Sequence, residues 1–349
     1  MQRQIPRHTL DGLLPQGLII DARSPAEFAL DHIPGAINLP TLDDAQRHEV
    51  GTLYTQVSPF QARLKGAAYA NRNIADYIDR HAHDWAPGLP MWVYCWRGGQ
   101  RSGSLALVLK EIGFKPTLIN GGYKHWRHQV MAGLPDAIHA LNWRVLSGAT
   151  GTGKTELLHA LRRAGESVLD LEGLANHRGS LLGHRSSQPT QRAFETQLYW
   201  ALKQIPAGNT VWVESESARI GQLTVPERLM TAIYQAPNVE VLDDLPSRVE
   251  RLIRDYQHYC QDGTDLKQQL GRLRGRYANA QIDGWFDQID RQDWPGLVEG
   301  LLVDHYDPTY AHGQKRLSAD RKTVFTRTGM DLPACVDGLI ETAQLANNC

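Results

Sequence analysis

The run "GATGTGKT", residues 148–155, constrains the fold of this chain more than any other feature. It follows the apolar segment "NWRVLS" and precedes "ELLHALRRAG", whose apolar residues recur at helical spacing. The pattern G-x-x-x-x-G-K-T between a strand and a helix predicts a loop whose backbone N–H groups wrap a phosphate. Gly148, Gly151 and Gly153 allow the close wrap, Lys154 reaches terminal phosphates, and Thr155 can ligate Mg²⁺ when a nucleotide is the ligand. Further strands are expected at "SVLDLE", "TVWVES" and "VEVLDD", with helices near residues 191–204, 226–235 and 246–259. After about residue 263 the pattern is mostly helical. This region reads as a P-loop NTPase-like α/β domain with a helical C-terminal part.

Acidic residues cluster at the ends of two of those strands. Asp170 and Glu172 close the strand after the loop's helix, where a second substrate is expected. Glu214 and Glu216 end "TVWVES", where a carboxylate orients magnesium or water. Two acid-free stretches are candidates for phosphate contact. One runs from Gly173 to Phe194 and contains Arg178 and Arg185; the other runs from Lys267 to Arg276 and contains Arg272, Arg274 and Arg276.

The N-terminal part has its own β/α alternation. "LIIDA" reads as a buried strand, and "PAEFALDHI" as a helix opening after Ser24 with Pro25 at its first position. "GAINLP" suggests a strand and a turn, and residues 42–85 look mainly helical. "MWVYC" is an apolar strand ending at Cys95; "SGSLALVLKEIGF" is an amphipathic helix closed near Gly113. "PTLINGGYKHWRHQV" reads as strand, Gly-Gly turn and helix, and "AGLPDAIHA" as a linker. Parallel-sheet α/β architecture follows here too. The division is 1–136 and 137–349, in keeping with a 349-residue chain that exceeds one ordinary core.

Cys95 leads into "WRGGQRS". The strand end, the Gly98–Gly99 pair and the charges of Arg97 and Arg101 are the means by which a thiol is converted to a reactive thiolate. Cys260, Cys335 and Cys349 lack such surroundings. The four cysteines form no C-x-x-C pair, so no zinc site or disulfide framework is assigned, and a reducing cytoplasm is the expected setting. No apolar run approaches the ~20 residues of a membrane helix, and the N-terminus has no signal-peptide pattern. The net charge of −1 does not announce a nucleic-acid binder; the local basic stretches are more informative.

"IIDARSPAEFALDHIPGAINLP", "VYCWRGGQRSGS" and "INGGYKHWRHQVMAGLP" resemble, in order, the three signature segments of a rhodanese domain. The resemblance makes Cys95 the group carrier. It gives Asp21 and Arg23 to the support of the loop, and Gly121, Gly122 and Trp126 to the C-terminal signature. The loop departs from the commonest rhodanese spacing, with five residues between Cys95 and Arg101 where many have four. A wider loop admits a larger group than one sulfur, phosphate or selenium among them.

A rhodanese-like domain followed by a P-loop domain with "DLEGLANHRGS", "QPTQRAFE" and "VESESARIG" resembles the tRNA 2-selenouridine synthases over nearly the whole chain. That resemblance implies a transferase that replaces the 2-sulfur of wobble 2-thiouridine with selenium from selenophosphate. It also implies an S-geranyl intermediate made from geranyl diphosphate. Selenophosphate, geranyl diphosphate and tRNA carrying 2-thiouridine are then the substrates; no firm cofactor and no metal ligand set are implied, and Mg²⁺ at the P-loop stays open. Backbone contacts to tRNA are expected from Arg178, Arg185, Arg272, Arg274 and Arg276. Tyr277 and Trp285 are candidates for stacking on a loop base, and "HYDPTYAHGQKR" is a comparable segment. His125, His177 and His184 lack metal-ligand spacing and read as polar surface or phosphate contacts. Two other readings compete. One is a Cys-x5-Arg phosphatase or plain sulfurtransferase fused to a kinase-like domain. The other is a non-enzymatic, ATP-responsive binding module.

Overall fold

A computed structural model describes residues 4–11, 14–177, 187–261, 263–314, 322–327 and 329–345. The chain divides into two compact units. The first comprises residues 1–136 and 189–203, and the second comprises residues 137–188 and 204–349.

The first unit is built on a five-stranded parallel sheet. Its elements are β1 (Arg7–His8), β2 (Leu18–Asp21), α1 (Pro25–Leu30), β3 (Ile37–Asn38), α2 (Asp44–Gln56), α3 (Pro59–His81), β4 (Pro90–Tyr94), α4 (Gln100–Ile112), β5 (Lys115–Ile119) and α5 (Gly122–His139). The strand order is β1-β5-β4-β2-β3, which puts β4 and the cysteine that follows it in the middle of the sheet. Ile20, Met91, Val93 and Leu118 meet Leu105, Leu109 and Ile74 in the core. α1 begins where the sequence indicated: Ser24 is the N-cap, Pro25 occupies the first turn, and the Glu27 carboxylate accepts the Ser24 N–H at 3.1 Å. α4 ends on Gly113, whose φ of 113° is left-handed.

One expectation fails here. Residues 132–140 read as a linker, yet α5 continues to His139 with Pro135 inside it. A proline in a helix interior removes one backbone hydrogen bond. Val130, Leu134 and Ile138, four residues apart and all buried, hold the helix through that defect.

The second unit opens with β6 (Asn142–Gly148), α6 (Lys154–Arg163), β7 (Ser167–Leu169) and α7 (Leu171–Leu174). α8 (Gln191–Lys203) follows, and this helix belongs to the first unit, not to the P-loop domain in which the sequence reading placed it. Its buried face is Phe194, Leu198, Tyr199 and Leu202. Thr196 donates to Asp31 at 2.9 Å, Glu195 pairs with Arg127, and Tyr199 lies edge-on to Trp126 at 6.1 Å. Chain order alone gives no sign of this insertion, because the pairing partners are some 70 to 165 residues away.

The second unit continues with β8 (Thr210–Glu214), the short hairpin β9 (Arg219–Ile220) and β10 (Leu223–Thr224), α9 (Glu227–Gln235), β11 (Asn238–Leu242), α10 (Leu245–Asp255), α11 (Gln257–Gln261), α12 (Gly263–Gly271), α13 (Asn279–Asp290), α14 (Trp294–Leu301), a π-helical turn (Leu302–Tyr306), α15 (Asp307–Gln314), β12 (Lys322–Thr326) and α16 (Leu332–Leu345). Its parallel sheet has the order β12-β11-β6-β8-β7. β6 is central, with β8 on one side and β11 on the other. The loop after β6 therefore opens at the point where the strand order reverses, the usual ligand crevice of an open α/β sheet. The edge strand β12 interrupts a stretch read as helical, and it pairs residue for residue with β11 from Asn238↔Lys322 to Leu242↔Thr326. The helices α12 to α14 form their own apolar cluster around Leu270, Ile282, Trp285 and Leu297. No helix among the described residues is long and apolar enough to cross a membrane.

Candidate functional site

Cys95 sits at the C-terminal end of β4, and its side chain is buried. The loop curls back over it. The Gly99 N–H donates to Sγ at 3.2 Å, and the Ser102 hydroxyl donates to it at 3.3 Å from the first turn of α4. Burial pushes the thiol up. The Ser102 hydroxyl and N–H, the Arg101 charge and the Gly99 N–H together outweigh that and hold it below the ordinary thiol value. The loop is closed from behind by the Gly-Gly turn after β5. Gly122 has a φ of 55°, and a Cβ there would fall 2.1 Å from the Cys95 carbonyl oxygen and 2.8 Å from the Gly98 nitrogen. Only glycine permits that approach.

The supporting groups come from β2 and α1. Asp21 and Arg23 are fully buried and face one another, with Arg23 Nε at 2.9 Å and Nη2 at 2.5 Å from Asp21 Oδ2. Arg23 also donates to the Asp31 carbonyl at 2.7 Å and lies 3.9 Å from the Tyr123 ring centroid. Arg101 is held by Glu27 through contacts of 2.5 and 3.2 Å. Burial raises Glu27, but the hydrogen bonds and charge of Arg101 bring it below its ordinary value. Glu27 thus caps α1 and positions the loop arginine. Arg97 projects from the loop and is exposed. Trp126 is buried in the unit's core.

Removing the Ser102 hydroxyl tests this account. Ser102→Ala is expected to shift the pH profile of Cys95 alkylation upward. At neutral pH it should slow labelling roughly tenfold, the loss of one hydrogen bond to a charged acceptor. Iodoacetamide labelling read by peptide mass checks it; an unmoved profile would mean that the hydroxyl does not hold the thiolate.

The second site lies after β6. Gly148, Gly151 and Gly153 all take positive φ, and Gly153 has a φ of 78° with a Cβ position only 2.0 Å from Arg327 Nη1. Lys154 opens α6, and its ammonium donates to the Gly148 carbonyl at 2.8 Å. The Gly148 N–H donates to the Tyr310 hydroxyl, and Lys154 Nζ lies 5.7 Å from the Tyr310 ring centroid. Burial pushes Tyr310 up to about 12.

Three arginines that sequence reasoning missed brace the loop from outside. Arg248 donates to the Thr150 carbonyl at 2.8 Å, Arg251 to that of Gly151 at 2.5 Å, and Arg327 to that of Thr152 at 2.9 Å. A loop that turns its N–H groups toward a phosphate leaves its carbonyls needing donors, and three consecutive ones are satisfied here. Asp307, Asp243 and Glu156 balance the three cations at 2.6, 2.9 and 2.7 Å. The recoverable signal was the "SRVERLIRD" spacing, which places Arg248 and Arg251 one turn apart on α10.

The acidic candidates separate. Glu172, Glu214 and Glu216 converge, with one carboxylate oxygen of each within 4.8 Å of the others. Burial and the neighbouring carboxylates push Glu172 up to about 9 against the pull of Lys154. Burial first, then Glu214, pushes Glu216 up to about 7; burial also raises Glu214. Glu214 accepts from Thr155 while its Oε1 is buried without a partner. Asp170 stands apart: it caps α7 through the Gly173 N–H at 2.7 Å and pairs with His159 at 2.8 Å.

The basic and aromatic candidates fare differently. Arg178 and Arg185, like His184, lie outside the described residues. Arg272, Arg274 and Arg276 are exposed between α12 and α13. Arg274 is tied to Asp283 at 2.7 Å, and Arg276 to Thr309 at 3.2 Å. Trp285 cannot serve as a stacking platform, because it is buried in the helical cluster with Tyr277 edge-on at 5.6 Å. "HYDPTYAHGQKR" is also no plain surface patch. His305 is buried, Asp307 holds Arg248, and Tyr310 caps the phosphate loop.

Two family models match successive stretches of the chain. Residues 7–129 match the rhodanese-like domain family, and residues 141–283 match the tRNA 2-selenouridine synthase AAA domain family. The tRNA 2-selenouridine synthase of Pseudomonas syringae pv. syringae (strain B728a) is 33% identical over 331 residues, covering 86% of this chain and 89% of its own. That of Bordetella bronchiseptica (strain ATCC BAA-588 / NCTC 13252 / RB50) is 35% identical over 347 residues, covering 88% and 90%. This chain belongs to the tRNA 2-selenouridine synthase family. Family membership and the two sites together make it an enzyme family member with a rhodanese unit and a P-loop unit in one polypeptide.

Proposed function

We propose that this protein converts 2-thiouridine of tRNA to 2-selenouridine in two half-reactions, one at each site. The observation that carries the reading is the pairing of an activated thiol with a complete phosphate loop in a chain of this family. In the first half-reaction the loop of Gly148 to Thr155 grips the diphosphate of geranyl diphosphate, with Lys154 leaving the Gly148 carbonyl for the phosphate oxygens. The tRNA sulfur attacks C1; the C–S bond forms, the C1–O bond breaks, and diphosphate departs with the electron pair. Arg248, Arg251 and Arg327 add positive potential behind the loop. Glu172, Glu214, Glu216 and Thr155 fit a hard divalent cation such as Mg²⁺, since they offer only oxygen ligands and the orphaned Glu214 Oε1 lacks any other partner. When bound, such an ion neutralises charge on the departing diphosphate.

In the second half-reaction the Cys95 thiolate adds to C2 of the S-geranyl base and expels geranyl thiolate. Selenium of selenophosphate then adds to C2 and expels Cys95, and water cleaves the P–Se bond to give phosphate. No atom changes oxidation state. A perselenide formed directly on Cys95 would instead release phosphite or demand an oxidant, so selenium is delivered to C2 rather than carried as a perselenide. Arg97 and Arg101 attract the anionic donor. Exposed Arg272 and Arg276 supply tRNA backbone contacts, and the setting is the cytoplasm, where the tRNA is.

The test is direct. Purified protein incubated with 2-thiouridine tRNA and geranyl diphosphate is expected to yield the S-geranyl nucleoside, and addition of selenophosphate to yield 2-selenouridine, read by nucleoside mass spectrometry. Unchanged nucleosides in every combination sink the reading.

A further inference from the structure

Within the second unit an open pocket lies beside the phosphate loop. Its walls include Thr150 of the loop itself, Leu252 of α10 and Tyr256 at that helix's C-cap, Trp294 and Leu301 of α14, and Tyr306. The lining is almost wholly apolar. α10 joins the two features physically. Its Arg248 donates to the Thr150 carbonyl, and a Cβ on Gly151 would lie 3.0 Å from Leu252 Cδ1. One helix therefore braces the anion-binding loop and walls the apolar pocket one turn later.

We propose that this pocket is the hydrocarbon subsite of the phosphate loop, and that it selects substrates by the length of the apolar chain attached to the diphosphate. The proposal rests on the reading of the loop as a prenyl diphosphate site. The chemistry of the walls decides between the two kinds of tail that a phosphate loop can meet. A purine needs partners for its ring nitrogens and amino group, and an apolar wall would leave them buried and unpaired. An isoprenoid chain needs only surface to cover, and aromatic and leucine side chains supply it. The helical extension α11 to α14 thus has a use that its sequence does not announce: it turns a nucleotide-type loop toward an alkyl diphosphate.

Cys260 lines the pocket and is half-buried with a free thiol, so it reports occupancy without any mutation. Maleimide labelling of Cys260 in the full chain, read by peptide mass, is expected to slow at least tenfold with geranyl diphosphate. Neither inorganic diphosphate nor ATP should slow it. Calorimetry should show affinity rising on the order of 10²-fold from dimethylallyl to geranyl diphosphate. Val298→Trp, which fills the half-buried pocket wall, should abolish that gain and leave the affinity for inorganic diphosphate unchanged. Equal affinity for all chain lengths, or protection of Cys260 by ATP as strong as by geranyl diphosphate, overturns the subsite while leaving the loop's role standing. Failure of every diphosphate to bind overturns the subsite together with the reading of the loop. Chain-length-dependent binding and protection without any alkylation of tRNA keeps the subsite and overturns the proposed reaction instead.

Discussion

Cys95→Ala is expected to abolish selenation of S-geranyl tRNA, by roughly a thousandfold or more, while geranylation of 2-thiouridine tRNA continues. The expectation follows from the local geometry. The sulfur is the one atom toward which the Gly99 N–H and the Ser102 hydroxyl both point. An alanine removes the thiol and leaves the Gly99 N–H without that acceptor, while the Ser102 hydroxyl keeps the Gly99 carbonyl at 3.2 Å. Asp21, Arg23 and Glu27 hold the backbone without touching Sγ, so the unit should keep its fold; its unfolding transition checks that. The measurement is a single-turnover assay on pre-geranylated tRNA with nucleoside mass spectrometry. Selenation at an undiminished rate would remove Cys95 from the chemistry. Loss of both half-reactions in a well-folded variant would mean that the two sites do not divide the work.

Lys154→Ala should give the complementary result. Geranylation is expected to fall by about 10²–10³-fold, the usual cost of deleting one preorganised donor to a developing anion. Selenation of pre-geranylated tRNA should be unaffected. Two changes act together in this variant. The diphosphate loses a cation, and Glu172, Glu214 and Glu216 lose the positive charge that opposes the mutual repulsion of all three. Inorganic diphosphate affinity, measured by calorimetry, should fall in parallel. A geranylation rate close to that of the unaltered protein would show that the loop does not bind the alkyl donor.

Local pattern and tertiary placement contribute differently to what can be seen before the fold is known. The phosphate loop was legible because its requirements are all local: glycines at fixed offsets, a strand before and a helix after. The cysteine loop was legible for the same reason, with Cys95, Gly98, Gly99 and Arg101 within one short segment. The partners that tune these groups were not. Glu27 reaches Arg101 across 74 residues, and Arg327 reaches the loop carbonyl of Thr152 across 175. A lone glutamate or arginine carries no periodicity, so nothing marks it until the chain is folded. Trp285 failed as a stacking candidate for a related reason. An aromatic beside arginines looks the same in sequence whether it faces solvent or, as here, closes a helical core.

By itself the amino-acid order determined the α/β class, the two parallel-sheet units, the positions of the cysteine loop and the phosphate loop, and the family resemblance, because each depends on residues close together along the chain. Only the tertiary structure decided that α8 belongs with the first unit, that three arginines satisfy the outward carbonyls of the phosphate loop, that three of four acidic candidates converge, and that an apolar pocket opens beside Thr150. Those features depend on packing and on the satisfaction of buried polar groups between distant segments, which no local pattern encodes.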